Sequence, residues 1–242
     1  MVEGAKKRVD LALRSWIDVR VEQALRSNGT GNAQGGNRPA VTGGKHLNAI
    51  DLLVQEELTA TGAEGLELRL GRQAALPGYY RPTKAWDLLV LQHGEPVLAV
   101  EYKSMNGSEG RNLNNRADEV FGVAEDIRQA ELHGLLPRTM RRAYVFVMAM
   151  TPTSTREVKV AKVAAGTTDP AFDGADYLER SALMCERMMG TGLYHFAWAV
   201  GVRERPFEWV EPRPAVTWDR FARGLHDMFE NGQVKPLPKH AV

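Results

Sequence analysis

Three charged side chains, Asp87, Glu101 and Lys103, lie at the borders of two apolar runs, where a buried strand would ordinarily carry no charge. The runs, residues 86–91 and 97–103, flank a short polar break that contains a His-Gly pair typical of a tight turn. The pattern predicts a hairpin of two antiparallel strands. Two acids and a lysine on such a ribbon could bind a metal ion and activate water, provided that their side chains share a face.

Whether these side chains share a face depends on the pairing register. If residues 92 and 96 pair across a three-residue loop, Asp87 lies directly opposite Glu101, about 5 Å away at Cβ. Lys103 then falls on the same face as Glu101, because side chains alternate along a strand. With a two-residue loop, the two acids point to opposite faces. A shared site therefore predicts the three-residue loop, or a β-bulge that restores its register.

The chemistry expected of this group is metal-dependent hydrolysis. Two facing carboxylates repel by roughly 1 kcal/mol or more, and a lysine together with a hard divalent cation would offset that repulsion. Mg²⁺ held by Asp87 and Glu101 would keep positions for water and phosphate oxygens. Lys103 could position or activate the attacking water in phosphodiester hydrolysis. The alternative is a charged ribbon edge, because an acid followed by Glu-x-Lys often arises by chance.

The composition indicates a globular protein whose overall charge is too small to attract nucleic acid by itself. The net charge is only +1, although 22 of the 31 basic residues are arginine, whose planar fork suits phosphate or guanine recognition. A single cysteine, Cys185, allows no disulfide within the chain and no cysteine-based zinc site. The first ten residues lack the apolar core of a signal peptide, so we expect a cytoplasmic location.

Two polar segments, both predicted to be loops, flank the ribbon and are candidates for contact with DNA. Residues 76–84 contain two prolines and a glycine, which exclude regular structure, and residues 104–116 contain four asparagines and two arginines. The alternatives are a packed loop in the first segment and a helix cap supplied by Asn114 or Asn115 in the second. The candidate DNA-contacting residues are Tyr79, Tyr80, Arg81, Lys84, Asn112, Asn114, Asn115 and Arg116.

The rest of the chain supplies the elements that must position this group. Apolar periodicity predicts helices over residues 8–27, 46–60, 116–133, 177–189 and 218–230, and further strands over 66–70, 143–151 and 193–202. Residues 28–44, with six glycines, are predicted to be a loop. Cys185 is predicted to be a core residue rather than a nucleophile. Whether Glu56 or Glu57 joins the metal site is left open.

Several separated motifs resemble one enzyme family. The segments LPGYYRPTKAWDLLV (76–90), VEYKS (100–104) and NNRADEVFG (114–122) resemble the XhoI-type restriction endonucleases, as does AVTGGK (40–45). An aspartate followed by Glu-x-Lys on a hairpin, with a helix after it, resembles the wider PD-(D/E)xK nuclease superfamily. The resemblance is strong over about residues 35–130.

This resemblance implies an α/β fold with a PD-(D/E)xK core, a mixed central β-sheet flanked by helices. It implies one nuclease domain over 1–242, with an N-terminal helix and glycine-rich loop (1–45), a catalytic core (46–151) and a C-terminal part (152–242). It implies Mg²⁺-dependent cleavage of double-stranded DNA by a homodimer at a palindrome, CTCGAG or a related site, alongside a cognate DNA methyltransferase. Asp87 and Glu101 match the metal-binding acids of the family, and Lys103 matches its catalytic lysine.

The chain departs from the family pattern in two places. Residues 83–86 stand where the superfamily often has a proline before the aspartate, and Met105–Leu113 differs from the expected glycine- and phenylalanine-containing stretch. Because of the second departure, we expect residues that determine specificity in that segment. Two other functions stay open, a structure-specific repair nuclease and a DNA-binding protein of the same fold that does not cleave.

Overall fold

The structure is a computed structural model that describes residues 3–29 and 45–236. Its helices are α1 (Glu3–Gly29), α2 (Asn48–Ala60), α3 (Glu109–Leu132), α4 (Tyr177–Gly190) and α5 (Trp218–Asp227). Its strands are β1 (Leu66–Leu70), β2 (Ala75–Pro77), β3 (Thr83–Ala85), β4 (Leu88–Gln92), β5 (Glu95–Met105), β6 (Arg141–Ala149), β7 (Phe196–Arg203), β8 (Glu208–Val210), β9 (Phe229–Glu230) and β10 (Gln233–Val234). Among these helices, none is long and apolar enough to cross a membrane.

A mixed sheet of six strands forms the centre, in the order β1-β4-β5-β6-β7-β8. Strands β5, β6 and β7 are parallel, and the other neighbouring pairs are antiparallel. Parallel neighbours need a crossover connection, and α3 and α4 provide the two crossovers. The expected mixed α/β architecture, a central sheet flanked by helices, is therefore confirmed.

Helices cover both faces of the sheet. On one face Trp16 of α1 and Leu53 of α2 pack with Val145 of the central strand, and α5 joins the same cluster. On the other face Ile127 of α3 and Cys185 of α4 pack with residues of β5 and β6. Every residue of β6 is buried, as expected for a continuous apolar run covered on both sides.

The sequence-predicted helices and strands are confirmed except at several boundaries. The exclusion of regular structure over residues 76–84 is wrong at its two ends, because these pair with each other as the short strands β2 and β3. The helix predicted over residues 218–230 ends at Asp227, and Phe229–Glu230 pairs as a strand with Gln233–Val234. The predicted glycine-rich loop falls largely on residues 30–44, which lie outside the described residues. Cys185 is fully buried, and burial raises the pKa of its thiol far above the ordinary value, consistent with a core residue.

The prediction of a loop over residues 104–116 is wrong. Strand β5 runs on to Met105, and after a turn helix α3 begins at Glu109 rather than near Arg116. Gly107 and Ser108 both have positive φ, 84° and 55°, and reverse the chain between the two elements. The polar composition of this segment is typical of a loop. Leu113 and the next helical turn pack against the core, however, and this packing favours a helix.

Candidate active site

A β-bulge sets the register of the β4–β5 hairpin. The turn has two residues, His93 and Gly94, with φ of 52° and 85°, as a tight hairpin turn of this length requires. Gln92 pairs with Glu95 beside the turn, and the register then shifts by one residue between Val90 and Leu91. The predicted restoring bulge is therefore confirmed, whereas the three-residue loop is not formed.

Beyond the bulge the pairing puts the two candidate acids opposite each other. Leu88 pairs with Val100, so Asp87 stands next in register to Glu101. Alternation along β5 places Lys103 on the face of Glu101, while Tyr102 packs into the core on the opposite face. The hairpin thus brings together the three side chains that the sequence singled out.

Asp87 lies just before β4 at the open side of this group. Its Oδ2 accepts a hydrogen bond from the backbone N–H of Tyr102 at 2.7 Å. Desolvation, and second the repulsion by Glu101, raise the pKa of Asp87, although the Tyr102 hydrogen bond acts in the opposite direction. Because the residue is exposed, solvent screening keeps these effects modest. The register of the hairpin, which sets Asp87 opposite Glu101, accounts for this repulsion.

Glu101 is buried, and each of its oxygens is held by a different lysine. Its side chain is 6% exposed, Lys84 donates to Oε2 at 2.9 Å, and Lys103 donates to Oε1. Lys84 was predicted as a DNA contact, and the structure instead places its ammonium on the candidate metal-binding acid. A buried carboxylate is costly without such partners.

The donor set of this group suits a hard divalent cation. Asp87 and Glu101 supply two carboxylates, and their mutual repulsion would be relieved by a positive ion between them. Within residues 3–29 and 45–236, no cluster of three or more His, Cys, Asp or Glu side chains offers a fuller cage. Mg²⁺ accepts such a site, because it binds through one or two carboxylates and keeps water and phosphate oxygens as its other ligands.

The two helix glutamates considered for the metal site are engaged or directed elsewhere. Glu57 is buried. Its Oε2 accepts a hydrogen bond from Arg8 at 2.8 Å, and its Oε1 lies 2.9 Å from His226 Nε2. These contacts tie together α1, α2 and α5 on the face opposite Glu101. Glu56 is exposed on α2. Neither residue is placed beside the carboxylates of the hairpin.

The loop between β2 and β3 carries Tyr79, Tyr80 and Arg81 and is anchored on α3. Asp126 Oδ1 accepts the backbone N–H groups of Tyr79 and Tyr80, each at 2.8 Å, and its Oδ2 accepts from Arg81 Nε at 2.6 Å. Burial acts to raise the pKa of Asp126, but these hydrogen bonds outweigh it and lower that pKa below its ordinary value. A Cβ at Gly78 would lie 2.7 Å from the Arg81 carbonyl oxygen, so only glycine fits this approach.

The three candidate DNA-contacting residues of this loop differ in how far they are engaged by the rest of the protein. Tyr79 stacks on His133 with ring centroids 4.2 Å apart, and Arg81 is paired with Asp126. Tyr80 is 67% exposed and presents its ring to solvent. Sequence reasoning missed Asp126, and a buried acid beside Ile127 on the apolar stripe of a predicted helix was the signal that could have found it.

The asparagine-rich segment forms the first turns of α3. Asn114 and Asn115 are exposed, whereas Asn112 donates to the Gly107 carbonyl oxygen at 3.0 Å and so holds the turn before the helix. Arg116 pairs with Glu119 at 2.7 Å. The exposed pair, Asn114 and Asn115, is therefore better placed for an external ligand than Asn112.

A polar cluster behind β5 was also missed by sequence reasoning. Ser104 follows Lys103 and points to the other face, where Arg20 of α1 donates to its Oγ and His46 Nε2 lies 3.1 Å away. Burial, followed by the charge of Arg20, lowers the pKa of His46 to about 4. These contacts connect the end of β5 to α1 and to the 3-10 turn Lys45–Leu47 that precedes α2. Nothing in the local sequence signals them, because the three residues come from distant segments.

Comparison with known proteins finds one family model and several relatives, all of them described as restriction enzymes. The family model described as "Restriction endonuclease XhoI" matches residues 26–206. The type II restriction enzyme XhoI of Xanthomonas vasicola is 34% identical over 165 residues, which are 66% of this chain and 66% of that enzyme. The type II restriction enzyme BstVI of Geobacillus stearothermophilus is 38% identical over 162 residues, 64% of this chain and 72% of that enzyme.

A shorter match covers less of both chains. The type II restriction enzyme AbrI of Azospirillum brasilense is 40% identical over 99 residues, 40% of this chain and 45% of that enzyme. The match to the XhoI enzyme thus spans just under two thirds of its length. No solved structure matches the chain. Because the family model covers most of the chain, including the β4–β5 hairpin and its two acids, the chain belongs to the restriction endonuclease XhoI family.

Proposed function

We propose that this chain is a type II restriction endonuclease that hydrolyses both strands of DNA at a short palindrome with a divalent metal ion, Mg²⁺. The observation that carries the proposal is the bulged register, which sets Asp87 against Glu101 with Lys103 bonded to the same glutamate. The family and the names of the relatives support the reaction class. The proposal includes a PD-(D/E)xK core and a single nuclease domain over residues 1–242.

In the proposed mechanism Asp87 and Glu101 are the metal ligands. A bound divalent ion would polarise a phosphoryl oxygen and lower the pKa of water near it. The Tyr102 N–H orients the Asp87 carboxylate, and the rigid strand β5 holds Glu101 and Lys103 at fixed spacing. Lys103 Nζ, already bonded to Glu101, is placed to donate to an attacking water or to a phosphate oxygen.

DNA recognition is proposed to come from the two segments beside the hairpin. The exposed residues Tyr80, Asn114 and Asn115 are the first candidates, since base edges and phosphates need donors that reach outward. The other proposed contacts are Tyr79, Arg81, Lys84, Asn112 and Arg116. The family suggests CTCGAG or a related site, a homodimer that matches the two-fold symmetry of such a palindrome, and a cognate methyltransferase in the same cytoplasm.

Plasmid digestion tests this function. In Mg²⁺ the protein should cut a plasmid of known sequence at one fixed palindrome, with ends that sequencing can map, and EDTA should abolish cleavage. Glu101→Gln and Lys103→Met should each lower the cleavage rate by at least about 10²-fold. The matched controls Glu56→Gln and Lys159→Met change exposed side chains away from the hairpin and should cleave normally.

Other results would redirect the assignment. Full cleavage by either site variant would refute the roles given to Glu101 and Lys103. Cutting of branched or mismatched DNA without fixed ends would indicate a repair nuclease. Tight DNA binding without cleavage in Mg²⁺ or Mn²⁺ would indicate a DNA-binding protein that keeps the fold.

A further inference from the structure

Lys84 reaches the candidate active site from outside the six-stranded sheet. It lies on β3, opposite Leu76 of β2, in a separate two-stranded ribbon. Its ammonium donates to Glu101 Oε2 at 2.9 Å and to the Ala85 carbonyl oxygen, and it lies 5.2 Å from the centre of the Trp86 ring. The side chain is only 17% exposed. These contacts place the Lys84 ammonium on Glu101 although its strand lies outside the central sheet.

The charges of the site balance before any metal ion binds. Asp87 and Glu101 carry two negative charges, and Lys84 and Lys103 carry two positive charges. Each Glu101 oxygen already accepts from one ammonium, so a divalent ion that binds Glu101 must approach an oxygen that a lysine occupies. An ion and an ammonium that share one carboxylate oxygen would repel each other strongly, because the glutamate is buried and screening by water is weak.

The two lysines differ in how the backbone ties them to Glu101. Lys103 is two residues from Glu101 on the same strand, so the backbone of β5 keeps them together on one face. Lys84 belongs to the separate two-stranded ribbon of β2 and β3, so no strand pairing of the central sheet fixes it to the strand that carries Glu101. Oε2 is therefore the Glu101 oxygen whose lysine partner is less constrained by the central sheet.

We propose that Lys84 is a positioning residue that occupies the metal-binding oxygen of Glu101 until a divalent ion displaces it. The lysine keeps the buried carboxylate paired and oriented in the metal-free protein, and once displaced it is free to contact a DNA phosphate. The inference rests on the proposed function, since it takes Asp87 and Glu101 as the metal ligands. Its consequence is a pair of opposite effects: removing Lys84 strengthens metal binding and weakens DNA cleavage.

Mn²⁺ titration without DNA tests the competition. Isothermal titration calorimetry should show Lys84→Met binding Mn²⁺ about three- to tenfold more tightly than the unmodified protein, because the competing ammonium is gone. Lys159→Met, an exposed lysine, should bind as the unmodified protein does. The same Lys84→Met protein should cleave DNA more slowly. A merely structural role would weaken both properties, so equal or weaker Mn²⁺ binding by Lys84→Met overturns the inference.

A footprint on the unmodified protein keeps the test independent of how the variant folds. Acetylation by an amine-reactive reagent, read by mass spectrometry, should label Lys84 faster when Mg²⁺ is added, with no change at Lys159. Unchanged or slower labelling of Lys84 overturns the inference. The substitution Glu101→Gln distinguishes a failure of the proposed metal site from a failure of the role given to Lys84. If Glu101→Gln leaves Mn²⁺ binding intact, the metal site of the proposed function is wrong. Loss of Mn²⁺ binding upholds that site, whatever result Lys84→Met gives.

Discussion

Glu101 illustrates how single residues are stabilised in this protein. A buried carboxylate loses hydration, and the ammonium groups of Lys84 and Lys103 offset that loss with one hydrogen bond to each oxygen. His195 solves the opposite problem at the start of β7. Its Nδ1 accepts the backbone N–H of Arg142 at 3.0 Å, so the ring must be neutral at that nitrogen. The histidine is therefore structural.

His195 should make folding stability depend on pH. Burial, and then the charges of Arg142 and Arg141, lower the pKa of His195 to about 3. The unfolded chain, with a histidine pKa near 6.5, therefore binds more protons between these values. The stabilising contribution is complete above about pH 6.5 and is lost as the pH falls toward 3.

The substitution His195→Asn keeps a side-chain acceptor but removes the titration. Urea unfolding between pH 7.5 and 5 should show a stability loss that is smaller than in the unmodified protein by up to about 1 kcal/mol per pH unit. His93→Asn, at an exposed turn position with positive φ that asparagine tolerates, is the control and should keep the original slope. Identical slopes for all three proteins would contradict the assigned cause.

Among the elements, helix α3 does more than connect β5 to β6. Its first turns carry Asn114 and Asn115 outward, and Asp126 near its middle fixes the loop between β2 and β3. Both candidate DNA-contacting segments are thus positioned by one helix. Because α3 packs on the same face as Glu101 and Lys103, it sets where those segments stand relative to the hairpin.

Removing the charge of Asp126 should loosen that loop without unfolding the protein. Asp126→Asn loses the ion pair to Arg81 and weakens the acceptance from Tyr79 and Tyr80, so we expect about tenfold weaker DNA binding, measured in Ca²⁺ by fluorescence anisotropy. Glu125→Gln, on the same helix but pairing with Arg128, should bind as the unmodified protein does. Equal affinity for both variants would show that the loop does not contribute to binding.

At the scale of the whole molecule, the described chain carries one set of Asp87, Glu101 and Lys103. One such set is suited to one strand of DNA at a time, which is why the proposed cleavage of both strands calls for two chains. A net charge of +1 also means that the protein as a whole does not attract DNA strongly. Binding must then depend on local groups arranged by the fold.

A mixed dimer tests this two-chain arrangement. Co-expression of the unmodified chain with Glu101→Gln under two affinity tags should yield a species of twice 26.8 kDa with one working site. That species should convert supercoiled plasmid to the nicked circle and stop there. Conversion to linear DNA at the normal rate, or a mass of one chain when bound to DNA, would favour a monomer that cuts the strands in succession.

Features that depend on short-range periodicity could be predicted from the amino-acid sequence. Alternation along residues 97–103 put Glu101 and Lys103 on one face, and a shared site with Asp87 demanded either a longer turn or a bulge. The continuous apolar run at β6 and the burial of Cys185 followed from the same kind of pattern. Such features involve neighbours along the chain, so local residue types suffice to predict them.

Contacts between distant segments could be identified only in the folded structure. It placed Lys84 on Glu101, tied Asp126 to the loop at residues 79–81, and engaged Glu57 with Arg8 and His226. It also began α3 at Glu109, because packing against the core outweighed a loop-like composition. These pairings join residues 17 to 169 positions apart, and no local pattern specifies which side chains meet when helices and ribbons fold onto a sheet.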